Sequence, residues 1–238
     1  MRVSLNITTQ CNLDCWYCKS HSANNPKHMS IKTLEYALRK LPYTAQVQVL
    51  GGEPTLHPEF ETIVKLLKGR NFYIQTNLSR AAFDKLINLD CWMCVSVHNI
   101  TDDLIGRIDS LRDRIRCLDV MANPRILNDF KALYNYCKSV NLIARLRPLM
   151  PLSSNNEFDA IDENEMLGML LKCAKIAPPE WLDNSIDAKY KEFTVDNPHY
   201  NKPCISKNHL SVFVDGIISK CPYGEIGEVC KYEYCPLV

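Results

Sequence analysis

The sequence predicts an α/β protein: a partial (βα)6-type barrel followed by a small C-terminal cysteine-rich β-hairpin extension. Three observations carry this. Six short apolar runs alternate with amphipathic stretches over residues 1–150, the signature of βαβ units and a parallel sheet. Six repeats are too few for a closed eight-stranded barrel, so the sheet should be curved and partly open. Finally, "HLSVFVDGIISKCP" (209–222) turns at Asp215-Gly216, a strong hairpin signal.

The expected strands are "RVSLNIT" (2–8), "QVQVLG" (46–51), "FYIQTN" (72–77), "WMCVSV" (92–97), "RCLDVM" (116–121) and "LIARLRPL" (142–149). Helical stretches separate them at 30–41, 58–69, 80–89, 101–114 and 124–139. Ser30, Thr101 and Asn123 are placed as N-caps and Gly69 as a stop. After residue 150 the pattern decays. A polar loop (151–165), a short helix near 165–176 and a proline-rich irregular stretch make residues 151–203 a connection between the barrel core (1–150) and the extension (204–238).

At 238 residues the chain can bury a sizeable core. A net charge of +1 gives no global attraction to nucleic acid or anionic membrane. "MRVSLNITT" has no apolar run long enough for a signal peptide and no stretch approaches a membrane span, so a cytoplasmic, thiol-reducing location is expected. There the twelve cysteines read as metal ligands or buried thiols rather than disulfides. Seven form two groups, Cys11/Cys15/Cys18 and Cys204/Cys221/Cys230/Cys235. Cys91 and Cys94, three apart on a strand, should point to opposite faces and not share a metal. With Cys117, Cys137 and Cys173 they are expected to be buried thiols.

C-x₃-C-x₂-C at residues 11–18 offers three ligands directly after the first strand. His21 or His28 could complete a zinc site, which needs four. Alternatively, three thiolates on a cubane iron–sulfur cluster leave one iron open to a ligand. The aromatic Tyr17 before Cys18, together with "VLGGEP" (Gly51, Gly52, Glu53, Pro54) after the second strand, resembles the radical S-adenosylmethionine (SAM) family over residues 1–150. The resemblance implies a 4Fe–4S cluster on Cys11, Cys15 and Cys18 whose open iron chelates SAM, and a GGE motif that contacts the SAM amino group. It further implies that an electron from the reduced cluster cleaves SAM to a 5′-deoxyadenosyl radical that abstracts hydrogen from a substrate. Further expected SAM contacts are Asn77, Ser96, Asn123 and Arg145. His98 and Arg147 are expected substrate contacts, the two arginines sharing one strand face.

The C-terminal C-x₁₁-G-x₄-C (Cys204, Gly216, Cys221) resembles the SPASM/Twitch hairpin of radical SAM enzymes. It implies a second, auxiliary 4Fe–4S cluster completed by Cys230 and Cys235, with a structural Cys₄ zinc site as the alternative. The expected activity is hydrogen abstraction from a small polar substrate or modified nucleotide, served by an external one-electron donor such as flavodoxin or ferredoxin. A peptide-modifying maturase is a second expectation. Its prior is lowered because the first strand begins at residue 2 and leaves no room for a fused peptide-binding domain. A glycyl-radical-enzyme activase and a non-catalytic Fe–S or zinc module complete the alternatives. The vacant coordination position beside GGEP argues against the last.

Overall fold

The computed structural model describes residues 1–15, 18, 26–147, 172, 175 and 209–219. Strands β1 (Arg2–Thr8), β2 (Gln46–Gly51), β3 (Phe72–Thr76), β4 (Met93–Val97), β5 (Ile115–Met121) and β6 (Ala144–Arg147) match the six expected runs to within two or three residues at each end. Helices α1 (Ile31–Lys40), α2 (Phe60–Leu67), α3 (Arg80–Leu86) and α4 (Asp102–Leu111) fill the first gaps. The fifth expected helix breaks in two, α5 (Pro124–Leu127) and α6 (Phe130–Val140). The break falls at Asn128-Asp129, residue types whose side chains compete for backbone hydrogen bonds. Ser30 and Thr101 cap α1 and α4 through their hydroxyls, and Asn123 caps α5 through its amide oxygen. Gly69 follows α2 at a φ of 88°, the left-handed conformation glycine adopts freely.

Strand order is β6-β5-β4-β3-β2-β1-β7-β8, with β1 to β6 parallel and each beside its sequence neighbour. Successive right-handed crossovers without a reversal place every helix on one face of the sheet. Side-chain alternation agrees. Val3, Leu5, Ile7, Val47, Val49, Ile74, Val95, Val97, Leu118, Val120, Ala144 and Leu146 are all fully buried in the core. Their neighbours one residue away, Ser4, Asn6, Gln48, Gln75, Ser96, Asp119, Arg145 and Arg147, take the other face. A parallel sheet covered by helices on both sides reads as continuous apolar runs. The polar alternation here marks a half-open barrel with a polar lumen.

The late hairpin forms as expected, β7 (His209–Val212) against β8 (Ile218–Ser219), with Gly216 at a φ of 86° in the turn. Its docking was not expected. β7 pairs in parallel with β1, Arg2 opposite His209 through Leu5 opposite Val212, making a seventh parallel strand. The free edge of β1 carries unpaired backbone groups that an added strand satisfies, and Asn6 Nδ2 donates to the Val212 carbonyl at 3.2 Å. Among the described residues no helix is long and apolar enough to cross a membrane.

Candidate active site

The cysteine loop leaves the carboxyl end of β1, and both its feet are tied down. Thr9 N–H donates to the Lys27 carbonyl at 2.9 Å, Lys27 N–H returns a bond to Thr9 Oγ1 at 2.9 Å, and Met29 N–H donates to the Ile7 carbonyl at 2.8 Å. Thr8 Oγ1 and His28 Nδ1 lie 2.9 Å apart. His28 also stacks edge-on against His57, so it serves the root of the loop instead of supplying a fourth ligand to the cysteines.

Gly51 and Gly52 are explained by the same root. A Cβ on Gly51 would stand 2.3 Å from the Thr8 carbonyl oxygen, and one on Gly52 2.1 Å from that of Gln10. The close approach lets Gly52 N–H donate to Thr8 O at 2.8 Å and Glu53 N–H to Gln10 O at 2.7 Å. The GGEP turn is therefore stitched to the first residues of the cysteine loop. The Glu53 carboxylate, 1% exposed, accepts from Thr55 N, Thr55 Oγ1, Thr76 Oγ1 and Asn77 N at 2.7–3.2 Å. Burial raises its pKa, against the lowering effect of these donors. Four internal donors commit this carboxylate to holding the rim together.

Cys11, Cys15 and Cys18 are partly exposed cysteines in this loop. Burial raises the Cys11 thiol pKa, and the nearby Glu53 and Cys18 add to the rise. A thiolate there needs a cation, as a metal supplies. Leu13 N–H points to Cys11 Sγ at 3.4 Å, and Asn77 Nδ2 lies 4.0 Å from the same sulfur. His98 Nδ1 stands 3.8 Å from Cys15 Sγ, and burial lowers its pKa to about 4, keeping the ring neutral. Among the described residues no three His, Cys, Asp or Glu side chains are placed to share a single ion. A cubane is held by thiolates on separate irons, which three thiols spread along one loop suit.

The other expected contacts divide. Asn77 and His98 stand beside the cysteines. Asn123 is buried and caps α5 while donating to the His98 and Met121 carbonyls at 3.0 and 3.2 Å, so it braces His98. Ser96, Arg145 and Arg147 lie deeper, in a network that sequence reading missed. Gln48 Nε2 donates to Gln75 Oε1 at 3.1 Å, and Gln75 Nε2 donates to Ser96 Oγ at 2.7 Å and Asp119 Oδ2 at 3.2 Å. Both arginines do share a face, and their Nε atoms donate to Asp119 Oδ1 at 3.1 and 3.0 Å. Polar residues at alternate positions in each strand were the signal. Cys94 also faces the lumen, hydrogen-bonded to Cys117 with the sulfurs 3.3 Å apart, while Cys91 and Cys137 are buried in the core. Tyr17, His21, Cys173, Cys204, Cys221, Cys230 and Cys235 lie outside the described residues.

Residues 5–136 match the model of the radical SAM superfamily. The chain belongs to the radical SAM superfamily. As a radical SAM protein it is an enzyme, and the family implies a 4Fe–4S cluster and SAM. It is 24% identical over 265 aligned positions to a GTP 3′,8-cyclase of Haemophilus influenzae, covering 94% of this chain and 78% of that one. A probable GTP 3′,8-cyclase of Methanococcus maripaludis is 23% identical, with 91% and 83% covered. The fold resembles that of Streptococcus suis SuiB bound to precursor peptide SuiA, with a TM-score of 0.63 at 14% identity. That match covers 92% of this chain, which spans 59% of SuiB's length. It also resembles anSMEcpe with bound AdoMet and the Cp18Cys peptide, with a TM-score of 0.58 at 16% identity and 94% and 74% covered.

Proposed function

We propose that this radical SAM enzyme holds its 4Fe–4S cluster on Cys11, Cys15 and Cys18 and acts on a small polar substrate, a nucleotide before a peptide, bound in the lumen. One observation supports this reading above the others: the sheet face below the cysteine loop is a connected set of side-chain donors and acceptors, Gln48, Gln75, Ser96, Asp119, Arg145 and Arg147. Such a lining suits a ligand rich in polar groups. The relatives named GTP 3′,8-cyclase point the same way, and the peptide-bound structures, at 14% and 16% identity, bear on the fold alone.

When bound, cluster and SAM together supply the 5′-deoxyadenosyl radical that takes hydrogen from the substrate. The protein's own part is placement. Thr8–Gln10 and Gly51–Glu53 fix the root of the cysteine loop, the GGE backbone and Asn77 form the SAM side of the rim, and Tyr17 and Ser96 are assigned as further SAM contacts. Asn123 braces the His98 carbonyl, with the His98 ring beside Cys15. Arg145 and Arg147, oriented by Asp119, present guanidinium groups to a SAM or substrate anion. Cys204, Cys221, Cys230 and Cys235 hold the auxiliary 4Fe–4S cluster, and a flavodoxin or ferredoxin delivers the electron.

Anaerobic reconstitution followed by iron assay and SAM cleavage tests the cofactors. About eight irons per chain are expected for two such clusters, and four irons with bound zinc overturn the auxiliary cluster. Cys11→Ala, Cys15→Ala or Cys18→Ala should abolish 5′-deoxyadenosine formation; persistence rejects the ligand assignment. Deuterium carried from a labelled nucleotide into 5′-deoxyadenosine supports the substrate class. Transfer from a peptide alone replaces it with the maturase reading.

A further inference from the structure

We propose that Cys94 and Cys117 are a redox-modification site, a dithiol on the lumen wall that closes reversibly to a disulfide. The pair is built by a local irregularity. Met93 of β4 lies opposite Ile115 of β5, yet the next residue, Cys94, lies opposite Cys117. β5 thus carries an extra residue, Arg116, in a β-bulge, a device that re-aims side chains and recurs beside active sites. Without it, regular pairing would set Cys94 against Arg116. With it, the two cysteines are register partners with both side chains on the lumen face.

The geometry suits a bridge. Paired strands run about 4.8 Å apart, within the 4.4–6.8 Å Cα separation that disulfides span. The sulfurs already lie 3.3 Å apart, so side-chain rotation alone covers the rest of the way to a bond of about 2.05 Å. The two thiols are also inequivalent. An Arg145 guanidinium NH₂ donates to Cys117 Sγ at 2.8 Å, and a neighbouring guanidinium favours thiolate. The hydrogen bond between the two sulfurs lowers the Cys117 pKa and raises that of Cys94. Cys117 is the attacking sulfur and Cys94 the resolving thiol.

With a low-molecular-weight disulfide as oxidant, the Cys117 thiolate attacks one sulfur of the reagent and expels the other as a thiolate. The resulting mixed disulfide at Cys117 is attacked in turn by Cys94, which gives up its proton, and the second reagent thiol leaves. Two protein thiols become one disulfide, and one reagent disulfide becomes two thiols. Two electrons and two protons pass to the reagent. At 3% and 6% exposed the cysteines are screened from bulk solvent, and the lumen is the route by which a small oxidant reaches them. Oxidation changes the sulfur acceptor that holds one arm of Arg145 and so reports lumen redox state to a residue of the proposed binding wall. Cys94 lies four residues, about 13 Å along the strand direction, before His98, the residue beside Cys15, and outside the set of proposed cluster ligands.

The test uses the full, cluster-loaded chain, equilibrated anaerobically in glutathione/glutathione-disulfide mixtures, quenched by alkylation and digested with trypsin. Cleavage after Lys85, Arg107, Arg116 and Arg125 isolates peptide 86–107, with Cys91 and Cys94, from peptide 117–125, with Cys117. A cross-link between them is expected in the wild type and in Cys91→Ser, absent in Cys94→Ser and reversed by dithiothreitol. Arg145→Gln should slow its formation about three- to tenfold, the effect of losing thiolate at the attacking sulfur. Separate alkylation of both thiols at every poise, or cross-linking only after unfolding in urea, overturns the site. An unchanged rate in Arg145→Gln overturns the assignment of Cys117 as the attacking sulfur.

Discussion

Asn77 joins the two halves of the cofactor rim: its backbone N–H donates to Glu53 Oε2 at 2.7 Å, while its side-chain amide reaches within 4.0 Å of Cys11 Sγ. The same amide donates to Asn12 Oδ1 at 2.9 Å. The end of β3, the GGEP turn and the start of the cysteine loop are therefore one hydrogen-bonded unit, although they lie 24 to 66 residues apart in sequence. A displacement at Glu53 is felt at Cys11.

Glu53→Gln tests that unit. Glutamine keeps the shape but turns an NH₂ toward backbone and hydroxyl donors, leaving at least one buried donor opposite another. A buried unsatisfied group costs about 1–3 kcal/mol, so the unfolding free energy should fall by that amount, seen as a lower urea midpoint with m unchanged. Iron retention should fall with it. Retention at the wild-type level would show that the cysteine loop holds its shape without the Glu53 tether.

Legibility in the sequence followed the range of the interactions. Strands β1 to β6 were readable because each buries one alternate set of residues, such as Val3-Leu5-Ile7, and Ser30, Thr101 and Asn123 because an N-cap is a local hydrogen bond. The Asp119–Arg145–Arg147 cluster was half readable: the two arginines share a face by strand periodicity, but their carboxylate lies 26 residues upstream of Arg145 and only β5–β6 register pairs them. Docking of β7 on β1 joins residues more than 200 apart, with no composition cue in either strand. The Cys94–Cys117 pair was hidden for another reason. Regular alternation correctly separates Cys94 from Cys91, but the bulge at Arg116 that brings in Cys117 leaves no mark on spacing.

Asp119→Asn should weaken the lumen without unfolding the barrel. Asp119 is buried and takes Nε–H donors from both arginines, whose side chains are about one-third exposed. Hydrogen bonds to charged groups contribute about 1.5–3 kcal/mol when buried, and partial solvation of the arginines screens this toward the lower end. A loss of about 1–2 kcal/mol by chemical denaturation is expected. Hydrogen transfer to 5′-deoxyadenosine should fall, with iron content kept. A variant that loses iron as well would place Asp119 in the structural support of the rim.

Alkaline pH should destabilise the barrel through Cys137. Burial pushes this thiol up to about 12, whereas an unfolded cysteine ionises near 8.5. Between those values the folded state binds more protons than the unfolded one, so stability is fully present below about pH 8.5 and is lost as pH rises toward 12. The group contributes a slope of about −1.4 kcal/mol per pH unit in that window. Cys137→Ala leaves a small cavity and lowers stability at neutral pH, but its decline between pH 9 and 11 should be shallower than the wild type's by that slope. Parallel urea-derived curves for the two proteins would assign the alkaline loss to other groups.

Gly52→Ala bears most directly on the GGEP turn. The added methyl would meet the Gln10 carbonyl oxygen at 2.1 Å, and that atom accepts the Glu53 N–H that stitches turn to loop. Both partners are backbone, so neither can rotate away. Overpacking of this kind costs about 1–3 kcal/mol, and relief comes by separating residues 51–53 from 8–10. The global fold should survive, since the core of Val49, Ile74 and Val95 lies on the helix-covered face, while the position of Cys11 shifts. Reconstituted Gly52→Ala should therefore show near-native far-UV circular dichroism with a lower yield of the cluster on Cys11, Cys15 and Cys18 and slower SAM cleavage. Gly106→Ala is the control: nothing lies within 4 Å of its added Cβ, and alanine favours a helix over glycine by about 1 kcal/mol. If both variants retained iron equally, close backbone packing at Gly52 would not be what positions the cysteine loop.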